Sequence, residues 1–540
     1  MGQRISTWSA RGPLTSLPST PILPTLLMKA RILLFPLLIG SLPPILRAQP
    51  IDPAEAEYYT VTTFPTPSQT ALEVSCVELL PDGRVAMGTR RGEVWIASNA
   101  QGATGTGVWN KESAFFEADP NVPASNQIQY QRFAEGQHEL LGLAWKDGWL
   151  YATNRYEVLR IKDSLGRGKA DKFQTVATPW GVSGDYHEYS FGSRFDKNGD
   201  LWFVACLTGS FSSKTAFRGW AMRVKPDGTV VPTCSGIRSP GGIGFDADGE
   251  VYYTDNQGPW HGSCTLQHLI PGSFQGHPGG NEWYSKAPNM GPRPVDPNDQ
   301  SRMVVERQRV KELVPPAVYM VYGPGKIGNS STAVVCDLSG GKFGPFQKQI
   351  FIPDQSHSNL SRVYLETVNG VKQGVVFPFL QGLKSGPIGA RMGQDGKFFV
   401  GGSDRGWGAK GGHPFAFERV DWTGKTPFEM HEIHAKPDGF EITFTQPVDP
   451  ATASDPKSYS IKAFTYIYQA KYGSPQVDDL TPEIQKVDLA ADRKSVRLKL
   501  DVLTKGHIHE IHCEGVKAAA EGKPVLHPVG YYTLNEIPEK

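Results

Sequence analysis

The chain has 540 residues, room for roughly two to four domains of ordinary size. Its 55 Lys+Arg are matched by 54 Asp+Glu, so no basic excess exists to neutralise phosphates and no nucleic-acid partner is expected. Glycine (59) and proline (43) together make up nearly a fifth of the residues; they punctuate short strands and are avoided by long helices, so an all-β chain is expected.

Within residues 1–48 the one membrane-like signal is Met28-Lys29-Ala30-Arg31, the apolar run Ile32 to Ile39 and a small-residue stop near Ala48. Pro36, Pro43 and Pro44 interrupt it, and it is too short to span about 30 Å of hydrocarbon. It reads as a secretory signal peptide with translation starting at Met28, which predicts a periplasmic or extracellular mature chain with no transmembrane segment.

Residues 49–427 carry a repeat. An apolar stretch, an Asp-Gly or Asn-Gly turn and a second β-rich stretch recur at Leu79–Met87, Leu143–Tyr151, Phe195–Phe203, Ile243–Tyr253 and Gln394–Val400, with a looser copy from Ala333 to Ile352. Each unit reads as a hairpin whose turn needs positive φ. Their spacing leaves room for four strands apiece and predicts a six-bladed β-propeller, whose loops converge on a pocket at one end of the central channel. Over residues 428–540 period-2 strands alternate with polar turns, at Gly439–Phe444, Phe464–Tyr468, Ser495–Leu500 and Tyr531–Leu534 among others, and predict a separate C-terminal immunoglobulin-like β-sandwich. Tyr466 and Tyr468 there suit either cross-strand packing or sugar stacking.

Six scattered cysteines include no CxxC pair and no CxxCH haem site, leaving disulfides and buried free thiols both open. His507, His509, His512 and Cys513 have no partner pattern that would make them a metal site. Two His-Glu pairs, His138-Glu139 and His187-Glu188, precede the second and third units, where a histidine could serve as a general base or merely bond to backbone carbonyls. Arg238 precedes Gly241, Gly242 and Gly244, an arrangement suited to a carboxylate or oxyanion with backbone approaching a ligand, or to an arginine bridging blades.

These residues resemble the soluble quinoprotein glucose and sorbosone (aldose sugar) dehydrogenase propellers. The likeness rests on Leu80-Pro81-Asp82-Gly83-Arg84, Arg91-Gly92-Glu93-Val94, Leu141-Gly142-Leu143-Ala144, Arg238 to Phe245, Asn256-Gln257-Gly258-Pro259 and Gly276-His277-Pro278. A second set of phrases, including Tyr186-His187-Glu188-Tyr189, Asp354-Gln355-Ser356-His357-Ser358-Asn359 and Arg405-Gly406-Trp407-Gly408, is similar to secreted dehydrogenase-like propellers of planctomycete and verrucomicrobial bacteria. The resemblance implies oxidation of a sugar or related alcohol with pyrroloquinoline quinone (PQQ) in the channel and a separate electron acceptor. It implies His187 as base, with Glu188 as the alternative one residue on, and Arg238 as polariser of a quinone carbonyl. Cofactor contacts would come from His138, Arg238, Gly242, Asn256, Gln257, His357 and Arg391. Gly241 departs from the glutamine common in the glucose enzymes. Leu165 and Arg167 interrupt the 163–171 loop where relatives cluster carboxylates, so calcium is not expected there. A non-catalytic carbohydrate- or protein-binding propeller is the alternative, with Trp407 as a sugar platform or a core residue.

Overall fold

The computed structural model describes residues 52–67, 70–178, 180–404 and 408–539; the expected signal segment and Trp407 lie outside them. Nearly all regular structure is antiparallel strand. Blade 1 comprises Val74–Leu79, Val85–Thr89, Val94–Ser98 and Gln129–Ala134, and blade 2 Gly142–Lys146, Trp149–Thr153, Val158–Lys162 and Lys172–Ala177. Blade 3 comprises Ser190–Phe195, Leu201–Ala205, Trp220–Val224 and Val230–Ser235, and blade 4 Pro240–Phe245, Val251–Asp255, Cys264–His268 and Val318–Met320. Blade 5 is Val335–Cys336, Ile350–Asp354, Asn359–Val368 and Val371–Leu380. Blade 6 is Pro387–Met392, Phe398–Ser403 and Phe415–Trp422, completed by Tyr59–Thr63 from the other end of the chain, in register from Tyr59 opposite Trp422 to Thr63 opposite Glu418. The innermost strands touch in sequence around a ring, blade 6 against blade 1 included.

The repeats recognised in the sequence are the inner hairpins of these blades. Gly83, Gly148, Gly199, Gly249 and Gly396 all take φ between 78° and 84°, as their turns require. The second strands of blades 1, 3, 4, 5 and 6 are buried along their whole length because neighbouring blades cover both faces. They therefore read as continuous apolar runs rather than alternating ones.

Close approach between inner strands explains several glycines without Asp-Gly turns. A Cβ on Gly142 would lie 1.8 Å from the carbonyl carbon of Gly192 in the next blade, and one on Gly241 would lie 2.1 Å from the Ser331 carbonyl oxygen. Gly242 faces Ala333 Cα at 2.7 Å in the same sense. The glycines after Arg238 thus admit the neighbouring blade's backbone, and Gly241 also lines the channel cavity.

The expected separate sandwich is replaced by something more integrated. Met430–Lys436, Gly439–Phe444, Ser495–Leu500 and Ile484–Leu489 form one sheet, but Val529–Leu534 pairs directly with the outermost strand of blade 5, Gly374 opposite Thr533. His507–His512, Ser460–Tyr466 and Gln476–Leu480 extend that blade to an eight-stranded sheet. One core joins the two, with Val375 and Phe377 of blade 5 packed among Phe440, Ile442, Leu498 and Tyr532. Tyr466 and Tyr468 are buried, and the Tyr468 hydroxyl donates to the Gly276 carbonyl, so both are packing residues and not a sugar-binding face.

A buried charge cluster ties the chain's ends together. His527, from the C-terminal segment, faces Glu429 Oε1 at 2.5 Å through Nδ1 and Glu55 Oε1 at 3.1 Å through Nε2. Glu55 belongs to the short helix Pro53–Ala56 before the closing strand, and its Oε2 accepts from Gln381 N at 2.8 Å. Burial alone would lower the imidazole pKa, but Glu429 and Glu55 overcome it and raise it to about 9. Because the folded value lies above the unfolded one, this stabilisation is complete below pH ~6.5 and is lost as pH rises towards 9. His527→Gln is expected to cost ~3–5 kcal/mol by leaving the carboxylates without their cation. Thermal unfolding between pH 6 and 10 checks this, since the variant should show a shallower alkaline decline, the share of His434, which against burial Glu366 and Glu432 also raise to about 9, remaining.

Candidate functional site

A cavity of about 800 Å³ opens at one end of the channel. It is built where the innermost strands begin and the second strands end. The first residue after the second strand lines it in four blades, as Arg90, Cys206, Asn256 and Gln355, while blade 2 contributes Arg155 two residues on. Leu141, Tyr189 and Ser239, each immediately before an innermost strand, form the floor with Pro240 and Ile388.

Cationic groups dominate the polar lining. Arg155 Nη1 donates to Glu139 Oε2 at 3.1 Å, Arg90 Nη2 lies 3.7 Å from Glu139 Oε1, and Arg91 Nε donates to Glu73 Oε2 at 2.9 Å. Arg90 and Arg155 also stand over the Tyr189 ring, 5.8 and 5.2 Å from its centroid. Two guanidinium groups, one each from blades 1 and 2, thus share the Glu139 carboxylate and stand over the Tyr189 ring at the start of blade 3. The arrangement suits an anionic or carboxylate-bearing ligand, since Arg presents planar forked donors in a partly desolvated site.

His187 lines the cavity on a loop organised by Asp185, whose Oδ1 accepts from His187 N at 2.8 Å and from Gly209 N at 3.1 Å. Its Nδ1 shares a 2.7 Å hydrogen bond with Ser210 Oγ, and the Tyr186 ring stacks on the imidazole at 4.9 Å. Burial, then repulsion from Arg238, lower its pKa; Asp185 works the other way and Arg155 adds to the lowering. The imidazole is therefore neutral at pH 7. With the proton on Nδ1 and donated to Ser210, Nε2 is the basic nitrogen.

The other expected residues separate into two groups. His138 and Asn256 also line the cavity. Glu188 does not: its buried carboxylate accepts from Ser183 N at 2.6 Å and Thr208 Oγ1 at 2.6 Å and fixes the loop. Arg238 is buried beside the cavity, its Nη1 donating to the carbonyls of Asn256 at 3.0 Å and Gln257 at 2.8 Å, with Tyr472 covering it. Gln257 in turn donates to the Tyr472 hydroxyl at 3.0 Å. His357 faces the Ile327 carbonyl at 3.4 Å, and Arg391 pairs with Glu78 at 2.5 Å further along the inner strands. Gly242 packs against blade 5.

The secondary candidates take structural positions. In the 163–171 loop, Asp163 accepts from the amides of Leu165, Arg167 and Gly168, and Asp171 from Ser164. Of the C-terminal histidines, His507 faces the Asp478 carbonyl, His512 lies between Glu510 and Glu514, and His509 is buried against Phe440, burial pushing it down to about 3. The cysteines are free thiols, and among the described residues no cluster of three metal-ligating side chains occurs. No described helix is long and apolar enough to cross a membrane.

Arg90, Arg91, Arg155 and Tyr189 were not singled out as site residues from the sequence. For Arg90 the signal was positional, the first residue after a second strand that follows its Asp-Gly turn; Arg91 and Arg155 stand one residue further on, and Tyr189 immediately precedes an innermost strand.

No protein-family model matches the chain, and no curated protein matches it. Among solved structures it is similar to an oxidoreductase (glucose dehydrogenase) of Thermus thermophilus, at 17% identity over 67% of this chain and 99% of that one, TM-score 0.44. It is similar also to the PQQ-bound aldose sugar dehydrogenase of Streptomyces coelicolor, at 13% identity over 67% and 98%, TM-score 0.45. The soluble aldose sugar dehydrogenase of Escherichia coli in its apo form matches at 14% identity over 67% and 99%, TM-score 0.41.

Glu139→Gln removes the carboxylate shared by Arg90 and Arg155. Calorimetric titration with citrate, a tricarboxylate probe, is expected to show about tenfold tighter binding than the unaltered chain and a steeper loss of affinity with salt.

Proposed function

We propose that the chain is a quinoprotein-like oxidoreductase that binds PQQ in the channel cavity and oxidises a sugar or related alcohol there. One observation carries the reading: a neutral imidazole, His187, faces a cavity of about 800 Å³ whose polar wall is led by Arg90, Arg91 and Arg155. The motif resemblance stated from the sequence points the same way. The residues present fit the cofactor in one respect, since a tricarboxylate quinone would be held by those arginines with Asn256 and Ser239 as further donors. When bound, the quinone supplies a two-electron, hydride-accepting centre.

The chain's own part is then proton handling and orientation. His187 Nε2 takes the hydroxyl proton of the substrate while Ser210 holds Nδ1, and Asp185 fixes the loop that presents the ring. Arg155 and Arg90 supply positive charge at the cavity wall, which favours developing negative charge on an oxygen. Arg155 takes this role rather than Arg238 because it lines the cavity, where Glu139 and the Asp185 carbonyl hold its guanidinium, whereas Arg238 is buried beside it on backbone carbonyls. The same commitment of Arg238 favours the second reading, a propeller that binds carbohydrate without oxidising it.

Titration of purified residues 49–540 with PQQ, with and without calcium, tests the proposal. Saturable binding weakened about tenfold or more by Arg155→Ala supports it, and absence of binding under both conditions overturns it. Activity with an artificial electron acceptor should then follow the His187 base. Its acid limb is expected below pH ~6.5, because the lowered pKa keeps the imidazole neutral there, and His187→Ala should cost 10²-fold or more, roughly, in kcat.

A further inference from the structure

We infer that the rim beside His187 is a carbohydrate-binding platform extending outward from the cavity, so that the natural substrate is a glycan chain rather than a free monosaccharide. This deepens the proposed sugar oxidation and rests on it for the identity of the reacting unit.

Of the seven aromatic side chains exposed by a third or more among the described residues, four stand at this mouth: Tyr156, Tyr186, Phe211 and Tyr472. Three of them, Tyr186, Phe211 and Tyr472, form a connected wall. Tyr186 stacks on His187 with an interplanar angle of 12°, leaving the ring 59% exposed. His187 bonds Ser210, next to which Phe211 stands 59% exposed, 6.3 Å from the Tyr472 ring. Tyr156 lies 6.0 Å from the ring of the cavity-lining His138.

Tyr186 lines the cavity, but Phe211 and Tyr472 do not. A single sugar held at His187 would not cover them, whereas the next units of a chain would. Apolar ring faces interleaved with hydrogen-bonding groups, here the Gln257 amide and the Asp185 carboxylate, match the C–H faces and hydroxyls of pyranose rings.

Tyr472 is also held in place. It comes from the turn between Ser460–Tyr466 and Gln476–Leu480, which docks on the propeller through Trp260 N to Gln469 O at 2.7 Å, Gln300 to Gln469 at 2.6 Å and Ala470 N to Asp299 Oδ1 at 2.7 Å. The C-terminal region thereby delivers an aromatic side chain to the rim of a cavity formed by the blades.

The test uses the full chain without quinone, titrated with gluco-, xylo-, manno- and chito-oligosaccharides of one to about six units, binding being read by calorimetry. At least one series should gain about tenfold in affinity from monosaccharide to tetrasaccharide. Phe211→Ala and Tyr472→Ala should each remove about threefold or more of that gain, and Phe211→Trp should retain it. Equal affinity at all lengths, a gain untouched by both alanine variants, or no binding in any series overturns the inference; the last is the result if the rim serves a protein partner. Because the readout is a length ratio without cofactor, the two ideas fail separately. A chain that binds PQQ and oxidises free sugars without length dependence loses the platform only, and one with length dependence but no PQQ binding keeps it.

Discussion

The constraint on which the rest depends is the near contact of backbone with backbone where innermost strands of adjacent blades meet. Around Gly142 and Gly192, and again at Gly241 against Ser331, there is no volume for a single methyl group. The ring can close only if these strands approach so tightly, and only a closed ring brings the ends of the second strands to a common mouth. The cavity follows from that geometry: one or two residues beyond the second strands, arginines, an asparagine and a glutamine gather at its wall. Packing at the waist and charge at the mouth are two results of one arrangement.

Much of the propeller was legible because hairpin turns leave a mark that tertiary context does not erase. Positive φ at Gly83 or Gly199 demands glycine whatever surrounds it, and the apolar runs that follow record burial on both faces. The site was less legible. His187 and Glu188 are adjacent in sequence and share a motif, yet one faces the cavity and the other is spent on Ser183 and Thr208; a loop's direction is set by Asp185 and Gly209, which no spacing rule captures. Arg238 was read as facing a ligand, but Tyr472 and the Asn256 and Gln257 carbonyls claim it, and Tyr472 lies more than two hundred residues away in sequence. Of the glycines beside it, Gly242 packs against the next blade, while Gly241 both admits the Ser331 carbonyl and lines the cavity. A glycine signals close approach without naming what approaches.

The electrostatics of the mouth follow a similar logic. Glu139 is placed between two arginines, so the local charge stays positive but each guanidinium is oriented, and both stand over the Tyr189 ring of the floor. His187 stays neutral because it is half-buried near cations whose repulsion exceeds what Asp185 restores. Its basicity is therefore a property of the whole rim, and not of a single neighbour.

The direct pairing of Val529–Leu534 with the last strand of blade 5 bears on how such a chain could have been assembled or could diverge. A module joined by a linker can be lost, duplicated or exchanged by recombination at the linker. Here a break near residue 428 would bare the edge of Val371–Leu380 as an unpaired strand and strip the cover from Val375 and Phe377, leaving a surface prone to edge-to-edge association. The last fifth of the chain is therefore tied to the propeller as one heritable unit, and changes on either side of that seam have to arise in step.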